Sequence, residues 1–358
     1  MKIAIIHSNL INQGGIERIV LLMAKTFKAD VITGEYDKEK TFKEFEKINV
    51  IELPKTDLPQ KLKSLMIRHK FKKLRLDYDF YILHGGASLE LAKHHKPNLW
   101  YCHSPTKWLY QLYKEEVKKY PIYLRPLFIL YCKYLRIIDK RNVKHVDIIM
   151  TNSENIKQTV KKVYKRHAEI INPPVNTNRF KFIRYDNFYL STARLSPDKR
   201  VDVIVKAFQQ MPKKKLIVAS SGSELEKIKS LAKGYKNIKI EGRVSDKRLT
   251  ELYGTCLATI CASKHEDFGM IAIESMSAGK PVIAIGDMGF AESIIENKTG
   301  IFYDGTEKQL IESVKIIDSV KDLSKELVKK MRTDCEKRAE YFSEENYIRK
   351  LKMAMKWN

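Results

Sequence analysis

Residues 262–294 read ASKHEDFGMIAIESMSAGKPVIAIGDMGFAESI. The run is entered from a strand pattern, LATICA at 257–262, and passes into a polar loop carrying Lys264, His265, Glu266 and Asp267. Phe268 and Gly269 open an apolar helix-forming run, MIAIESMSA. It closes at Gly279, a residue able to take the left-handed cap conformation. A buried-type strand, PVIAI, a glycine-bounded loop, GDMG, and a short helix beginning near Phe290 follow. Strand, loop, helix, glycine, strand is the repeat unit of a parallel α/β sheet. A helix N-terminus directly after a glycine presents unpaired N–H groups and the positive end of the helix dipole, which suits a phosphate. Glu266 lies before that helix and Glu274 inside it, roughly 7–8 Å further along the axis at ~1.5 Å per residue. One carboxylate can reach hydroxyls beside a bound phosphate and the other hydroxyls further back. A diphosphate flanked by two hydroxylated rings is a nucleotide sugar. Glutamates are common at helix starts because the dipole favours them, so it is the setting that gives this pair its weight.

Outward from this stretch, the chain has 358 residues, enough for two domains, with 44% hydrophobic residues. Its longest apolar run, LFILYC at 127–132, is far too short to span a bilayer. MKIAII at the start reads as a first strand and lacks the small-residue cleavage site of a signal peptide. Five cysteines, Cys102, Cys132, Cys256, Cys261 and Cys335, form no CxxC pair, and reduced thiols in a cytoplasmic protein are expected. Lys and Arg number 67 against 43 Asp and Glu, a net charge of +24 that favours phosphates, anionic lipid or nucleic acid.

The first half begins KIAIIH, then SNLINQGGIERIVLLMAKTF: a buried strand, a glycine loop and a helix with an apolar face at Ile19, Leu22, Met23 and Phe27. Gly14 and Gly15 stand at the turn, where backbone can approach a ligand closely. The spacing is not GxGxxG, so the dinucleotide fingerprint is absent. Strand-like runs recur at 30–34, 49–53, 80–84 and 99–103, alternating with helical patterns. Asp77-Tyr78-Asp79 has a DxD spelling but reads as the polar lead into the strand at 80. Residues 60–76, QKLKSLMIRHKFKKLRL, hold seven Lys/Arg and no acid, with a rough apolar stripe at Leu62, Leu65, Met66, Leu74 and Leu76. That segment is expected either to pack on the domain or, over 61–76, to lie on an anionic membrane surface as a peripheral contact. WYCHSPTKWLY at 100–110 places His103 at a strand end, where ligand crevices lie in open α/β sheets. Its aromatics can line a sugar site, although a lone histidine is more often structural. Residues 111–145 are basic and aromatic. Two prolines and a heptad-like apolar stripe there point to helices packed on the sheet rather than to nucleic-acid stacking. Ser153 is expected to cap the helix after VDIIMTN.

INPPVNTN at 171–178 is a stiff linker. The domains expected are 1–176, 177–340 and a returning helix over 341–358. Beyond the linker, FYLSTARLSPDKRVDVIVKAF sets Arg194 and Lys199 between a strand and a helix starting near Val201. Two cations at a strand's C-terminal end suit a diphosphate leaving group. Ser220-Ser221-Gly222 and Gly242-Arg243 end further strands and are placed to meet the nucleotide and its base.

Four of these segments, GGIER at 14–18, YCHSP at 101–105, ARLSPDK at 193–199 and EDFGMIAIESMSAGKPVIA at 266–284, together resemble the retaining family 4 glycosyltransferases of the group 1 type. The second is similar to mannosyl- and rhamnosyl-transferase-like members. The resemblance spans nearly the whole chain. It implies the α/β GT-B fold: two Rossmann-like domains facing across a cleft, with a last helix crossing back to the first. It also implies catalytic roles for His103, Glu266, Arg194 and Lys199. The donor nucleotide sugar would meet Gly15, Arg194, Lys199, Glu266, Asp267, Phe268, Gly269, Met270, Glu274, Gly242 and Arg243. Gly14, Lys107 and Trp108 would meet a glycan or lipid-linked acceptor. Ala193 and Lys107 depart from the commoner glycine and arginine. No metal, no cofactor and no nucleic-acid partner are expected, the nucleotide sugar being substrate. Two other readings stay open on the residues alone. A glycosidase or phosphorylase would use the carboxylates as a pair, and retaining glycosidases hold theirs ~5–5.5 Å apart. A nucleic-acid-binding protein would show a steep salt slope.

Overall fold

A computed structural model describes residues 1–55, 60–264, 266–286 and 289–356. The chain forms two compact units, Met1–Asn172 with Ile348–Asn358, and Pro173–Tyr347. The first division falls at the proline pair, between Asn172 and Pro173, and the second between Tyr347 and Ile348.

Unit 1 is built on a seven-stranded sheet: β1 (Ile3–Leu10), β2 (Asp30–Tyr36), β3 (Val50–Glu52), β4 (Phe80–His84), β5 (Asn98–Cys102), β6 (Ile148–Thr151) and β7 (Glu169–Ile170). Every pairing is parallel, in the order β3-β2-β1-β4-β5-β6-β7. FYILH and NLWYC are buried along their whole length, as strands covered on both faces must be. The connecting helices are α1 (Gly15–Phe27), α2 (Gln60–Lys73), α3 (Tyr113–Lys118), α4 (Arg125–Val143) and α5 (Glu154–Tyr164). Helix α1 buries Ile19, Met23 and Phe27 as expected, while Leu22 is half-buried. Ser153 caps α5, its hydroxyl accepting from the Ile156 amide. The DxD-like run is tied into the fold: the Lys2 amide donates to Asp79 at 2.6 Å and the Tyr78 hydroxyl to Asp30 at 2.7 Å.

Helix α2 shows the packing expected of 61–76 at several positions. Ile67 and Phe71 are buried, and Leu65, Leu74 and Leu76 pack against interior clusters. Arg68 donates to Asp139 at 2.6 Å and to Glu90 at 3.0 Å, tying α2 to α4. These five apolar side chains are therefore turned onto their own domain, while the Leu62 side chain of the expected stripe lies outside the described residues.

Unit 2 has six parallel strands, β8 (Tyr189–Ser191), β9 (Leu216–Val218), β10 (Ile238–Ile240), β11 (Thr259–Cys261), β12 (Val282–Ile285) and β13 (Gly300–Tyr303), in the order β10-β9-β8-β11-β12-β13. Its helices are α6 (Val201–Gln209), α7 (Leu225–Ala232), α8 (Asp246–Thr255), α9 (Met270–Ser277), α10 (Gly289–Ser293), α11 (Glu307–Leu323), α12 (Lys325–Glu340) and α13 (Glu344–Ala354). Helix α13 starts in unit 2, and its residues from Ile348 onward belong to unit 1. One core forms around Ile204, Phe208, Leu216 and Val314, another around Phe268, Ala272, Met276 and Phe290. All five cysteines are buried free thiols.

Candidate functional site

In unit 2 the site residues expected from sequence sit in the loops that follow β8, β10 and β11 and, for Met270 and Glu274, on α9, at the edge where α/β sheets bind ligands. The loop after β8 carries Arg194 and Lys199. It is braced from beneath by the turn after β9: the Leu195 amide donates to Ser221 O at 3.0 Å and the Glu224 amide to Leu195 O at 2.9 Å. A Cβ on Gly222 would lie 2.3 Å from Leu195 O, so only glycine lets the two turns meet. Arg194 is exposed at the rim. Its neighbour by type, Arg200, turns the other way and donates to Gly305 O at 3.1 Å, which makes it structural.

Lys199 reaches across to the loop after β11. Its Nζ lies 2.6 Å from Glu266 Oε2, with both side chains about a fifth exposed, and Asp198 stands 3.7 Å off. Glu266 in turn is held by its backbone, its carbonyl accepting from the Gly289 amide at 2.9 Å. Glycines make this junction possible. Gly269 has φ +78° and caps α9, and a Cβ there would fall 2.4 Å from the Phe290 ring. One on Gly289 would lie 2.3 Å from the Phe268 amide nitrogen. Phe268 itself is buried and packs edge-on against Phe342. Its ring is therefore core, and its share in a donor site is limited to backbone. Asp267 and Met270 are half-buried at the mouth of α9.

Further inside, Glu274 accepts from the Tyr253 hydroxyl at 2.9 Å, which is itself 2.7 Å from Thr192 Oγ1. Burial, reinforced by the Glu274 charge, pushes the Tyr253 phenol up, so it stays a donor to that carboxylate. On the far edge Gly242 adopts φ +68° with open space around it, and Arg243 is exposed. Arg248 grips the preceding Glu241 through two nitrogens, at 2.9 and 3.1 Å, and holds its carboxyl down at about 2. Tyr253, Thr192 and Arg248 are supports that the motifs did not reveal, since none belongs to a matched segment.

Unit 1 brings its own residues to its sheet edge. His103 follows β5 and shares a hydrogen bond with His84, Nε2 to Nδ1 at 3.1 Å, their rings stacked 5.3 Å apart. His7 on β1 meets His84 edge-on at 6.1 Å, and its Nε2 lies 3.7 Å from Glu17 on α1. Burial first, then the neighbouring His7, pushes the His103 imidazole down to about 3; burial and both neighbours push His84 well down. These rings are neutral at pH 7, so His103 offers its charge-free imidazole. Glu17 lies over the glycine loop, its carboxylate 2.4 Å from where a Gly14 Cβ would be. Gly15 is the first residue of α1. Lys107 opens a single turn over Lys107–Leu109, and Trp108 stacks on Tyr131 at 6.4 Å and lies against Phe128. Trp108 thus serves local packing as well as any ligand. Among the described residues no group of His, Cys, Asp and Glu is placed to hold a metal ion.

Two parallel sheets, with cations and carboxylates gathered at the strand ends of the second, define an α/β protein of the GT-B glycosyltransferase type. The family model "Glycosyl transferases group 1" matches residues 175–340, and "Glycosyltransferase Family 4" matches 13–179. The chain belongs to this group 1, family 4 class of glycosyltransferases. An uncharacterised glycosyltransferase of Methanocaldococcus jannaschii is 29% identical over 161 residues, 43% of this chain and 44% of that protein. The match thus spans less than half of the archaeal relative. An alpha-1,3/1,6-mannosyltransferase of Dictyostelium discoideum is 24% identical over 375 residues, covering 86% of this chain and 87% of its own. Among solved structures, Anabaena HepE in complex with UDP superposes with TM-score 0.76 at 16% identity, covering 99% of this chain and all of that one.

Proposed function

We propose that this chain is a retaining hexosyltransferase. It would move a sugar from a nucleoside-diphosphate donor, GDP-mannose or a UDP-sugar, to a glycan, glycolipid or lipid-linked acceptor. The observation that carries the reading is the contact between Lys199 and Glu266, 2.6 Å apart at the mouth of a glycine-capped helix. A cation for phosphate and a carboxylate for sugar hydroxyls are already side by side there. Breaking the sugar–phosphate bond leaves negative charge on the diphosphate and an oxocarbenium-like sugar. Arg194, Lys199 and the first amides of α9 stabilise that negative charge in place. Glu266 holds sugar hydroxyls, and Glu274, oriented by Tyr253, holds the ribose. Asp267 and Met270 line the same mouth, while Gly242 and Arg243 face the base. The acceptor hydroxyl attacks the anomeric carbon as the bond to the diphosphate breaks. Its proton passes to the leaving phosphate, so no separate base is used. Gly14, Gly15, His103, Lys107 and Trp108 are the first domain's candidate residues, His103 and Gly15 for the donor and Gly14, Lys107 and Trp108 for the acceptor.

The names of relatives support a sugar nucleotide: the Dictyostelium protein is a mannosyltransferase, and HepE has been crystallised with UDP-glucose. A thermal-melt series over nucleoside diphosphates and their sugars tests the reading. A ligand that binds only the folded state stabilises it by about 2.7 kcal/mol at a hundred times its Kd. One base and one sugar should stand out. A flat response to every nucleotide and nucleotide sugar would end this assignment.

A further inference from the structure

Helix α4 presents one face that none of the described residues covers. Its inner side buries Cys132, Leu135, Asp139, Asn142 and Val143. Its outer side carries Leu127, Leu130, Tyr134 and Ile137, spaced three, four and three residues apart, so that they fall in one stripe along the helix. With Ile122 and Tyr123 in the turn before it, these side chains are between 58% and 78% exposed. Single apolar residues on a surface need no explanation, but a continuous row of aliphatic and tyrosine side chains marks an interaction face.

The charges around the row identify what it meets. Lys133, Lys140, Arg141 and Lys144 are exposed along the same helix and just past its end. The one acid of α4, Asp139, is wholly buried and bound by Arg68. Neighbouring α3 adds exposed Lys114 and Lys118. Its two acids are Glu115, which is exposed, and Glu116, which pairs with Lys119. An apolar stripe bordered by cations, with tyrosines among the aliphatic residues, is the composition of a helix lying in the plane of a membrane. The apolar groups enter the acyl boundary, the tyrosines sit at headgroup level and the lysine stems extend to the phosphates. No described helix is long and apolar enough to cross a bilayer, so the contact is lateral.

We infer that the outward face of α4 and the turn before it dock this protein on an anionic lipid bilayer. The inference stands apart from the donor reading, since it uses none of the donor residues. It places a membrane contact at 122–144, a different stretch from the 61–76 expected from sequence.

The test is co-sedimentation of the full chain with vesicles of phosphatidylcholine alone and of phosphatidylcholine doped with phosphatidylglycerol, at low and high salt. The wild type should bind the doped vesicles, lose much of that binding as salt rises, and bind neutral vesicles weakly. The triple variant Leu127→Ser, Leu130→Ser, Ile137→Ser should keep its melting temperature, because all three side chains are exposed, and bind at least about tenfold more weakly. Lys133→Gln, Lys140→Gln, Arg141→Gln should erase the preference for phosphatidylglycerol. Absence of wild-type binding, or equal binding by the serine variant, overturns the inference. A wild type that sediments as a dimer, becomes a monomer in the serine variant and ignores vesicles also overturns it, and assigns the face to a second copy of the chain.

Discussion

Lys199 and Arg200 are adjacent, chemically alike and oppositely employed. Arg200 spends its guanidinium on the Gly305 carbonyl, whereas Lys199 extends to Glu266. Replacing Lys199 by alanine should therefore lower turnover by about 10²–10³-fold, the usual cost of removing one charge-stabilising donor. Thermal stability should change little, because the pair it breaks is partly solvated. Turnover of the alanine variant within a few-fold of wild type would remove Lys199 from the chemistry. The histidines make a different claim at this scale. His103 is held neutral in the fold, its pKa taken from 6.5 to about 3, so the unfolded chain binds the proton more readily. Stability is then full above pH 6.5 and is lost as pH falls from there toward the folded value, at up to ~1.4 kcal/mol per pH unit for each such group. His103→Asn should flatten the acid limb of a urea-stability profile between those limits. An unchanged limb would mean that other groups carry the acid sensitivity.

At the scale of elements, glycines at positive φ separate into two kinds. Gly269 combines φ +78° with a Phe290 ring where a side chain would go, while Gly242 has a similar φ and open space. Gly269→Ala should cost well over ~1 kcal/mol in chemical denaturation and disturb the first turn of α9, and Gly242→Ala only about 1 kcal/mol from backbone strain. Equal losses would show that the ring yields easily. The elements themselves were largely legible in the residues. Buried parallel strands need unbroken apolar runs, and FYILH and LWYCH supply them. The run of Phe268 to Gly279 announced α9 and its cap. What the residues could not reveal is adjacency. KIAIIH, FYILH and LWYCH each close with a histidine, yet His7, His84 and His103 become neighbours only because β1, β4 and β5 lie side by side in the sheet. Thr192 and Tyr253, sixty-one residues apart, likewise meet only in the fold, where the Tyr253 hydroxyl joins Thr192 to Glu274. On α4 the opposite limit applies. A period near 3.6 marks an apolar stripe, but a stripe that faces inward and one that faces out have the same period. Period alone therefore could not tell that the stripe of Leu127, Leu130, Tyr134 and Ile137 is exposed while Ile67 and Phe71 of α2 are buried.

At the scale of the molecule, each unit has its own sheet and cores, but only unit 2 is drawn from one uninterrupted length of chain. Unit 1 needs Ile348–Asn358 to be complete, and within that segment Leu351 is fully buried and Met355 nearly so. Leu351→Ala should cost roughly 2–5 kcal/mol, as deletion of buried methyl groups does. The loss should appear in the unfolding transition that reports unit 1, followed through Trp100 or Trp108 fluorescence. A variant with wild-type transitions would show that the segment adds nothing to that unit.

This discontinuity also sets an order of events on the ribosome. Domains assemble as they emerge, N-terminal first as a rule. Here the strands β1–β7 leave the exit tunnel early, yet they must wait without their last buried segment until the whole of Pro173–Tyr347 has been translated. Chains ended before Ile348 and released should therefore contain a protease-resistant second half and a first half still open to cleavage.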